Sequence, residues 1–328
     1  MNSDGLDSTE QVPVLFIGGV GRSGSTLVER LLDQVPGVHA LGETHHLWER
    51  GPVDDQLCGC SEEFSRCETW QAIGREAFGG WDQVDLDRVI YLRHSVDRTR
   101  RVPELLKPGS ARDDVVEYAS ILSRLYRGAQ RATGATVLVD SSKNLSTAAV
   151  LRHVEGISLN IAHVVRDSRG VANSWTRKVK RPEVGDDAYM PTYHPAYSAV
   201  RWLTDNLGFE VLSRMGASLI TKRYEDILRD PERHLRELLD MTPLANADLS
   251  CLTGGTVHLT HPVHSVSGNP MRFKSGDLEL RLDDGWATEL DPKLSTMVAA
   301  MTSPLLLRYR YSLRPDPVNR DPGSGSDG

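Results

Sequence analysis

Short apolar runs alternate with amphipathic stretches from residue 12 to about residue 313. Val12-Pro-Val-Leu-Phe-Ile17 is continuously apolar and runs into glycines, the pattern of a strand buried on both faces. Leu27, Val28, Leu31, Leu32 and Val35 then fall at helical spacing until Pro36-Gly37 stops the helix. Residues 135–139 and 159–165 predict two more buried strands. The first of these ends at Asp140-Ser-Ser-Lys143 and is followed by helical spacing through Ala148, Leu151 and Val154. Helices are predicted from about Gly170 to Lys178 and over 197–215, and a strand over 218–222. Residues 233–239 form another helix, entered through Asp230-Pro231, a cap followed by proline in the first turn. Strands alternating with helices imply parallel βαβ units. The expected fold is therefore α/β: a P-loop-like, doubly wound parallel sheet flanked by helices, in one domain spanning 12–313. Segments 51–130 and 175–200 carry weak strand signals and many charges, and are expected to be helical insertions or lids on the sheet. Residues 1–11 and 314–328 have the composition of disordered ends.

Charge and length narrow the function. The 328 residues include 38 basic against 45 acidic side chains, a net charge of −7, which argues against nucleic acid spread over a broad surface. A local basic cluster can still hold a small anion. No run approaches the ~20 apolar residues needed to cross a bilayer. The first eleven residues have neither the basic start nor the apolar centre of a signal peptide, so the expected location is the cytoplasm, without a membrane anchor.

Gly18-Gly-Val-Gly-Arg-Ser-Gly-Ser-Thr26 joins the first predicted strand to the first predicted helix, the junction at which α/β proteins bind ligands. Glycines let the backbone approach a phosphate, and the helix dipole adds partial positive charge there. Two patterns fit. Gly19, Gly21 and Gly24 match a dinucleotide fingerprint with Glu43 as the ribose acid, which would make an NAD(P)-binding oxidoreductase. Gly19 to Thr26 also approaches the nucleoside-triphosphate loop, with Ser25 standing where a kinase has its lysine. Arg22, inside the loop, favours transfer of an anionic group. A second segment, His163-Val-Val-Arg-Asp-Ser-Arg-Gly-Val-Ala-Asn-Ser174, ends a strand on Arg166 and brings Ser174 up two helical turns later. A guanidinium and a hydroxyl make a second phosphate grip, so the ligand is expected to be phosphorylated at two places.

With these two segments, Gly21-Arg-Ser-Gly-Ser-Thr-Leu27 and Val165-Arg-Asp-Ser-Arg-Gly-Val-Ala-Asn-Ser174, the chain resembles the sulfotransferases that use 3′-phosphoadenosine 5′-phosphosulfate (PAPS), in their bacterial, carbohydrate and tyrosylprotein branch. The likeness spans most of residues 12–312. It implies that Gly21, Arg22, Ser23, Gly24, Ser25 and Thr26 hold the 5′-phosphosulfate, and that Arg166 and Ser174 hold the 3′-phosphate. It implies a loop around Gly268-Asn-Pro-Met-Arg-Phe273 closing over the nucleotide, with Arg272 added to the 3′-phosphate site.

The expected reaction moves a sulfuryl group to a hydroxyl of a small-molecule, sugar or lipid acceptor. Arg22 stabilises the leaving phosphate, and no metal is required, because arginine and backbone N–H groups can hold that phosphate. Glu43 is the expected general base, its spacing from Arg22 resembling that of the base in the tyrosylprotein branch; His45 and His46 are the alternatives. Lys143 either contacts the donor sulfate or pairs with Asp140. Cys58, Cys60 and Cys67 lie within ten residues, with His45 or His46 as a conceivable fourth metal ligand. C-x-C plus a single cysteine is a poor match to paired zinc spacings, so this segment is expected to be a lid or substrate loop. His258, His261 and His264 read as loop histidines. Trp175, Trp202 and Trp286 could line an acceptor pocket, but aromatics at helical positions more often read as core.

Overall fold

The computed structural model describes residues 11–107, 112–184 and 187–314; the disorder expected at the two ends falls almost wholly outside them. Strand β1 (Val12–Gly19) leads into helix α1 (Ser25–Asp33), then β2 (Val38–Gly42). An insertion follows, carrying α2 (Glu68–Phe78), α3 (Leu86–Val96), α4 (Val102–Leu105) and α5 (Asp113–Thr133). The sheet resumes with β3 (Val137–Lys143), α6 (Leu145–Leu151), β4 (Ile157–Val165), α7 (Ser168–Thr176), α8 (Pro195–Arg214) and β5 (Leu219–Arg223). Helices α9 (Tyr224–Arg229) and α10 (Pro231–Leu239) precede a small antiparallel sheet of β6 (Leu252–Thr253), β7 (Thr256–Leu259) and β8 (Gly276–Glu279). Helices α11 (Trp286–Glu289) and α12 (Pro292–Arg308) are the last elements among the described residues.

The five strands of the main sheet are all parallel, in the order β2-β3-β1-β4-β5. Alternation along β1 fills both faces, as a doubly covered sheet requires. Val12, Val14 and Phe16 pack with α5, α6 and Phe209 of α8, while Leu15 and Ile17 pack with α1, α9 and α10. A third cluster, Val20, Val165, Val171, Trp202 and Leu306, seals the carboxyl end of β1 and β4.

The strand order decides between the two glycine patterns. A dinucleotide fold places its second strand beside its first, which carries the acid to the ribose. Here β3 lies between β1 and β2, so Glu43 sits one strand too far out for that role. Three further expectations need revision. Strand β2 forms from a stretch with no strand predicted. The small β6–β8 sheet was equally unforeseen. Between α7 and α8 the described residues form no helix, and Lys180 instead pairs with Tyr189 in an isolated bridge. Pro182 and Pro191 in that segment remove helical N–H donors.

The register slips near the carboxyl ends of β1, between Phe16 and Gly18, and of the edge strand β2, between Ala40 and Gly42, each against β3. Such irregularities re-aim side chains. Lys143 leaves β3 with φ 68° and turns towards the space above the sheet.

Candidate active site

Above the carboxyl ends of the strands lies a cavity of about 400 Å³, within the range of small-molecule sites. Gly21, Arg22, Gly24, Ser25 and Thr26 of the β1–α1 loop line it, as do Arg166 from the end of β4 and Ser174 from α7. Both motif segments therefore open onto one space.

The loop is held in a shape that excludes side chains at three points. A β-carbon on Gly24 (φ 88°) would stand 2.2 Å from the Tyr224 ring, and one on Gly21 would stand 2.7 Å from Trp175. One on Gly19 (φ 147°) would meet the Val164 carbonyl at 2.5 Å. No side chain caps the start of α1, and its first turn has no acidic residue. Leu27 and Val28 donate to the Gly24 carbonyl (3.0 and 3.1 Å), while the Ser25 and Thr26 N–H groups at the start of the helix have no intrahelical acceptor and are available to an anion. Arg22, also at positive φ (75°), lays its guanidinium over Trp175 at 4.9 Å from the ring centroid. Its Nε and Nη2 are buried without a hydrogen-bond partner. Burial depresses its proton affinity, Glu43 opposes that, and Arg166 adds to it. A half-buried cation with two buried, unmet nitrogens beside a second cation is an environment that an anion would relieve. Ser23 is buried with its hydroxyl unpartnered, and lies behind the lining.

Arg166 does not pair with its neighbour Asp167, which holds Arg169 at 2.6 Å instead. Its Nη1 donates to the Arg22 carbonyl (3.1 Å), and its Nη2 to the carboxylate of Asp283 (2.9 Å), a half-exposed residue on the cavity wall. Asp283 thus occupies the guanidinium edge that faces the cavity. Burial raises the Asp283 pKa, and Arg166 and Arg177 more than reverse this, so the net shift is downward.

Glu43, at the end of β2, lines the cavity with His46 and Lys143. Its Oε1 pairs closely with the Lys143 ammonium and its Oε2 lies 3.8 Å from His46 Nε2. Lys143 therefore pairs with Glu43 and not with Asp140. Asp140 is buried and braces the Glu43 turn: it accepts from Thr44 Oγ1 and Tyr126 OH (both 2.5 Å) and from the Ser142 hydroxyl (2.6 Å). Neither histidine beside Glu43 is set up to take a proton from a ligand in the cavity: Arg93 Nη1 lies 3.1 Å from the His45 Nε2. His45 Nδ1 is bound to buried Asp97 at 2.7 Å, and its residue is absent from the cavity lining. His46 lines the cavity, but burial, reinforced by Arg50 and His45, drives its proton affinity far down.

Arg272 departs from expectation. It is almost fully buried outside the cavity lining, its Nη2 donating to the Leu57 carbonyl (3.0 Å) and its ring neighbour being Phe273. It anchors the 263–273 segment against the insertion. Gly268 and Asn269 of that segment do reach the cavity, the Asn269 N–H facing Thr26 Oγ1 at 3.4 Å. Trp202 is core as expected, donating to the Arg166 carbonyl (2.9 Å), and Trp286 stacks under Arg169; Trp175 instead joins the cavity wall.

Sequence reasoning missed Arg50, Tyr193, Tyr197, Arg201, Tyr224 and Asp283, all of which line the cavity. Tyr224 directly follows β5 and could have been found as Arg166 was, at a strand end; the others come from segments without a glycine-loop or strand-end signature. With them the wall holds five cations, Arg22, Arg50, Lys143, Arg166 and Arg201, against the carboxylates Glu43 and Asp283. A chain of net charge −7 thus keeps a locally cationic cavity.

A family profile described as "Sulfotransferase family" matches residues 13–248. Two solved structures are similar. One is the sulfotransferase domain from the Synechococcus PCC 7002 olefin synthase, at 21% identity and a TM-score of 0.49, covering 94% of this chain and 98% of that one. The other is sulfotransferase STF9 from Mycobacterium avium, at 17% identity and a TM-score of 0.41, covering 73% of this chain and 66% of that one. No curated protein matches. Among the described residues, no helix is long and apolar enough to cross a membrane.

Proposed function

Since the chain belongs to the sulfotransferase family, we propose that it transfers a sulfuryl group from PAPS to a hydroxyl of a small-molecule, sugar or lipid acceptor. The observation that carries the reading is Arg22: a half-buried guanidinium whose Nε and Nη2 are buried without partners, set in the loop before an uncapped helix N-terminus. Arg166 and Ser174 open onto the same cavity, so one ligand bearing two anionic groups can meet both grips.

In this reading the loop and the first turn of α1 bind the 5′-phosphosulfate, while Arg166 and Ser174 bind the 3′-phosphate. The acceptor oxygen approaches sulfur in line with the bridging oxygen. One S–O bond forms to the acceptor as the S–O bond to the phosphate breaks, leaving a sulfate ester and adenosine 3′,5′-bisphosphate. Arg22 meets the negative charge growing on the departing phosphate, where a preorganised cation in a water-poor site counts most. Glu43 takes the acceptor proton. Its carboxylate is held by Lys143, with Thr44 and Asp140 fixing the turn behind it. Tyr193, Tyr197 and Met190 give the acceptor side of the cavity its apolar surface.

Thermal unfolding with candidate ligands tests the assignment. A ligand at 100 times its Kd adds about 2.7 kcal/mol, enough to raise Tm by several degrees. Adenosine 3′,5′-bisphosphate is expected to stabilise the protein well beyond 5′-AMP at equal concentration. Stabilisation by NAD(P), or by ATP–Mg²⁺, without an effect of the bisphosphate refutes the reading.

A further inference from the structure

We infer that Cys58, Cys60, Cys67 and His264 form a structural zinc site that pins the insertion to the segment covering the cavity. The four ligand atoms lie within 4.8 Å of one another. Cys67 Sγ is 3.6 Å from Cys58 Sγ and 3.8 Å from Cys60 Sγ, and His264 Nδ1 is 3.3 Å from Cys67 Sγ and 4.0 Å from Cys58 Sγ. Around a tetrahedral ion with bonds of about 2.3 Å to sulfur and about 2.0 Å to nitrogen, sulfur–sulfur edges are about 3.8 Å and sulfur–nitrogen edges about 3.5 Å. These four separations scatter within about 0.5 Å of those edges, and all six lie within 4.8 Å. They are much too long for a disulfide, and all the cysteines are free thiols.

The sequence hid this site because the fourth ligand lies 197 residues beyond Cys67. Neither His45 nor His46 supplies it, and of the three loop histidines only His264 turns to the cysteines. His258 faces Asp277 at 2.6 Å, and His261 bonds the Asp33 carbonyl at 2.9 Å. Three thiols and one imidazole fill a tetrahedron with no position left for water or substrate, which is the pattern of a structural site. That donor set selects zinc over magnesium, calcium or manganese. Cys58 and Cys67 are 1% exposed, and the surroundings are already built to hold the ligands. Trp70 Nε1 donates to the His264 carbonyl (2.9 Å), and the Gly59 N–H donates to the Ser265 carbonyl (3.0 Å). Arg50, on the cavity wall, donates to the Ser267 hydroxyl. The ion therefore joins residues 58–67 to a segment that continues into Gly268 and Asn269 of the cavity wall.

The test is metal content, which is read without donor or acceptor and so stands apart from the proposed reaction. The whole chain, purified without a metal-affinity tag or chelator, is expected to carry about one zinc per chain by elemental analysis. After removal of zinc, Co²⁺ is expected to give thiolate-to-cobalt absorption and the visible bands of tetrahedral cobalt. His264→Ala and Cys60→Ser should each lower zinc retention at least about tenfold. Both ligands are partly exposed, so these variants are the ones to make. If either fails to fold, thiol titration of the wild type decides: three of the four cysteines should resist reagent until a strong chelator is added. Less than about one zinc per ten chains, no tetrahedral cobalt spectrum, thiols equally reactive with and without chelator, or a disulfide among the three cysteines overturns the inference.

Discussion

Arg22→Met separates catalysis from folding more sharply than any other change in the cavity. Methionine keeps an unbranched side chain against the Trp175 face and leaves the positive φ of residue 22 as it is. What it removes is a cation whose Nε and Nη2 are buried without partners. Each unmet buried donor costs about 1–3 kcal/mol, while the lost cation–π contact is worth about 0.5–2 kcal/mol. The two terms oppose, and the first is as large or larger, so Tm should hold or rise. In the reaction the sign reverses. A donor aimed at charge developing in the transition state is worth about 10²–10³ in rate, so turnover should fall by roughly 10³. The assay is release of adenosine 3′,5′-bisphosphate from PAPS with hydroxyl acceptors, run beside thermal unfolding of the same preparation. Turnover within about tenfold of wild type would show that Arg22 does not stabilise the leaving phosphate. A Tm lowered by more than about 5 °C with activity lost would make the residue a structural one.

Ser174→Ala should weaken adenosine 3′,5′-bisphosphate by roughly tenfold or more, from one lost bond to a charged group, and leave 5′-AMP unchanged; calorimetric titration distinguishes the two. Asp283→Asn should do the reverse. It frees Arg166 from a half-exposed carboxylate at 2.9 Å, a pairing worth up to about 1 kcal/mol, so the bisphosphate should bind up to about fivefold tighter; weaker binding would show that Asp283 helps to hold the ligand. Gly24→Ala should lower Tm by several degrees, because its β-carbon meets the Tyr224 ring at 2.2 Å with φ at 88°. His163 is fully buried, bonded to Asn206 Oδ1 at 2.8 Å, and burial lowers its pKa to about 4 from 6.5. Between those values the unfolded chain binds the extra proton, so stability falls as pH drops through that window, by about 3 kcal/mol in all. His163→Gln should flatten this part of the Tm-against-pH curve; an unchanged slope would assign the acid limb to other groups.

What could be read from the sequence was whatever a few adjacent residues decide. The run Val12 to Ile17 is buried on both faces of the sheet and so is apolar throughout; the loop after it needs glycines because Tyr224, Trp175 and the Val164 carbonyl leave no room for side chains. Arg166 could be placed at a strand end for the same local reason, and Ser174 by helical spacing from it. Strand β2 escaped notice because it is a five-residue edge strand in which His39 breaks the apolar run. Arg272 was misassigned because a cation in a turn-rich loop resembles a phosphate ligand until the Leu57 carbonyl, 215 residues away, is seen to bind it.

The division between what was and was not legible follows the chemistry. The loop end of the cavity, which the proposed reading gives to the donor, is made by backbone N–H groups and by arginine and serine at fixed offsets from strand ends, so its geometry is written into contiguous segments. The cover and the acceptor wall come from residues 50, 190–201 and 268–283, which are brought over the sheet by long-range contacts such as Arg166 to Asp283 and Arg50 to Ser267. In the proposed reading phosphate geometry would constrain the first set, because a misplaced hydrogen-bond donor there would lose a charge-assisted bond. Nothing local constrains the second beyond fitting the cavity. A cover of that kind needs to be fastened at its base, and four thiol and imidazole groups at ligand-to-ligand distances, between the insertion and the segment leading to Gly268, are placed where such a fastening is required.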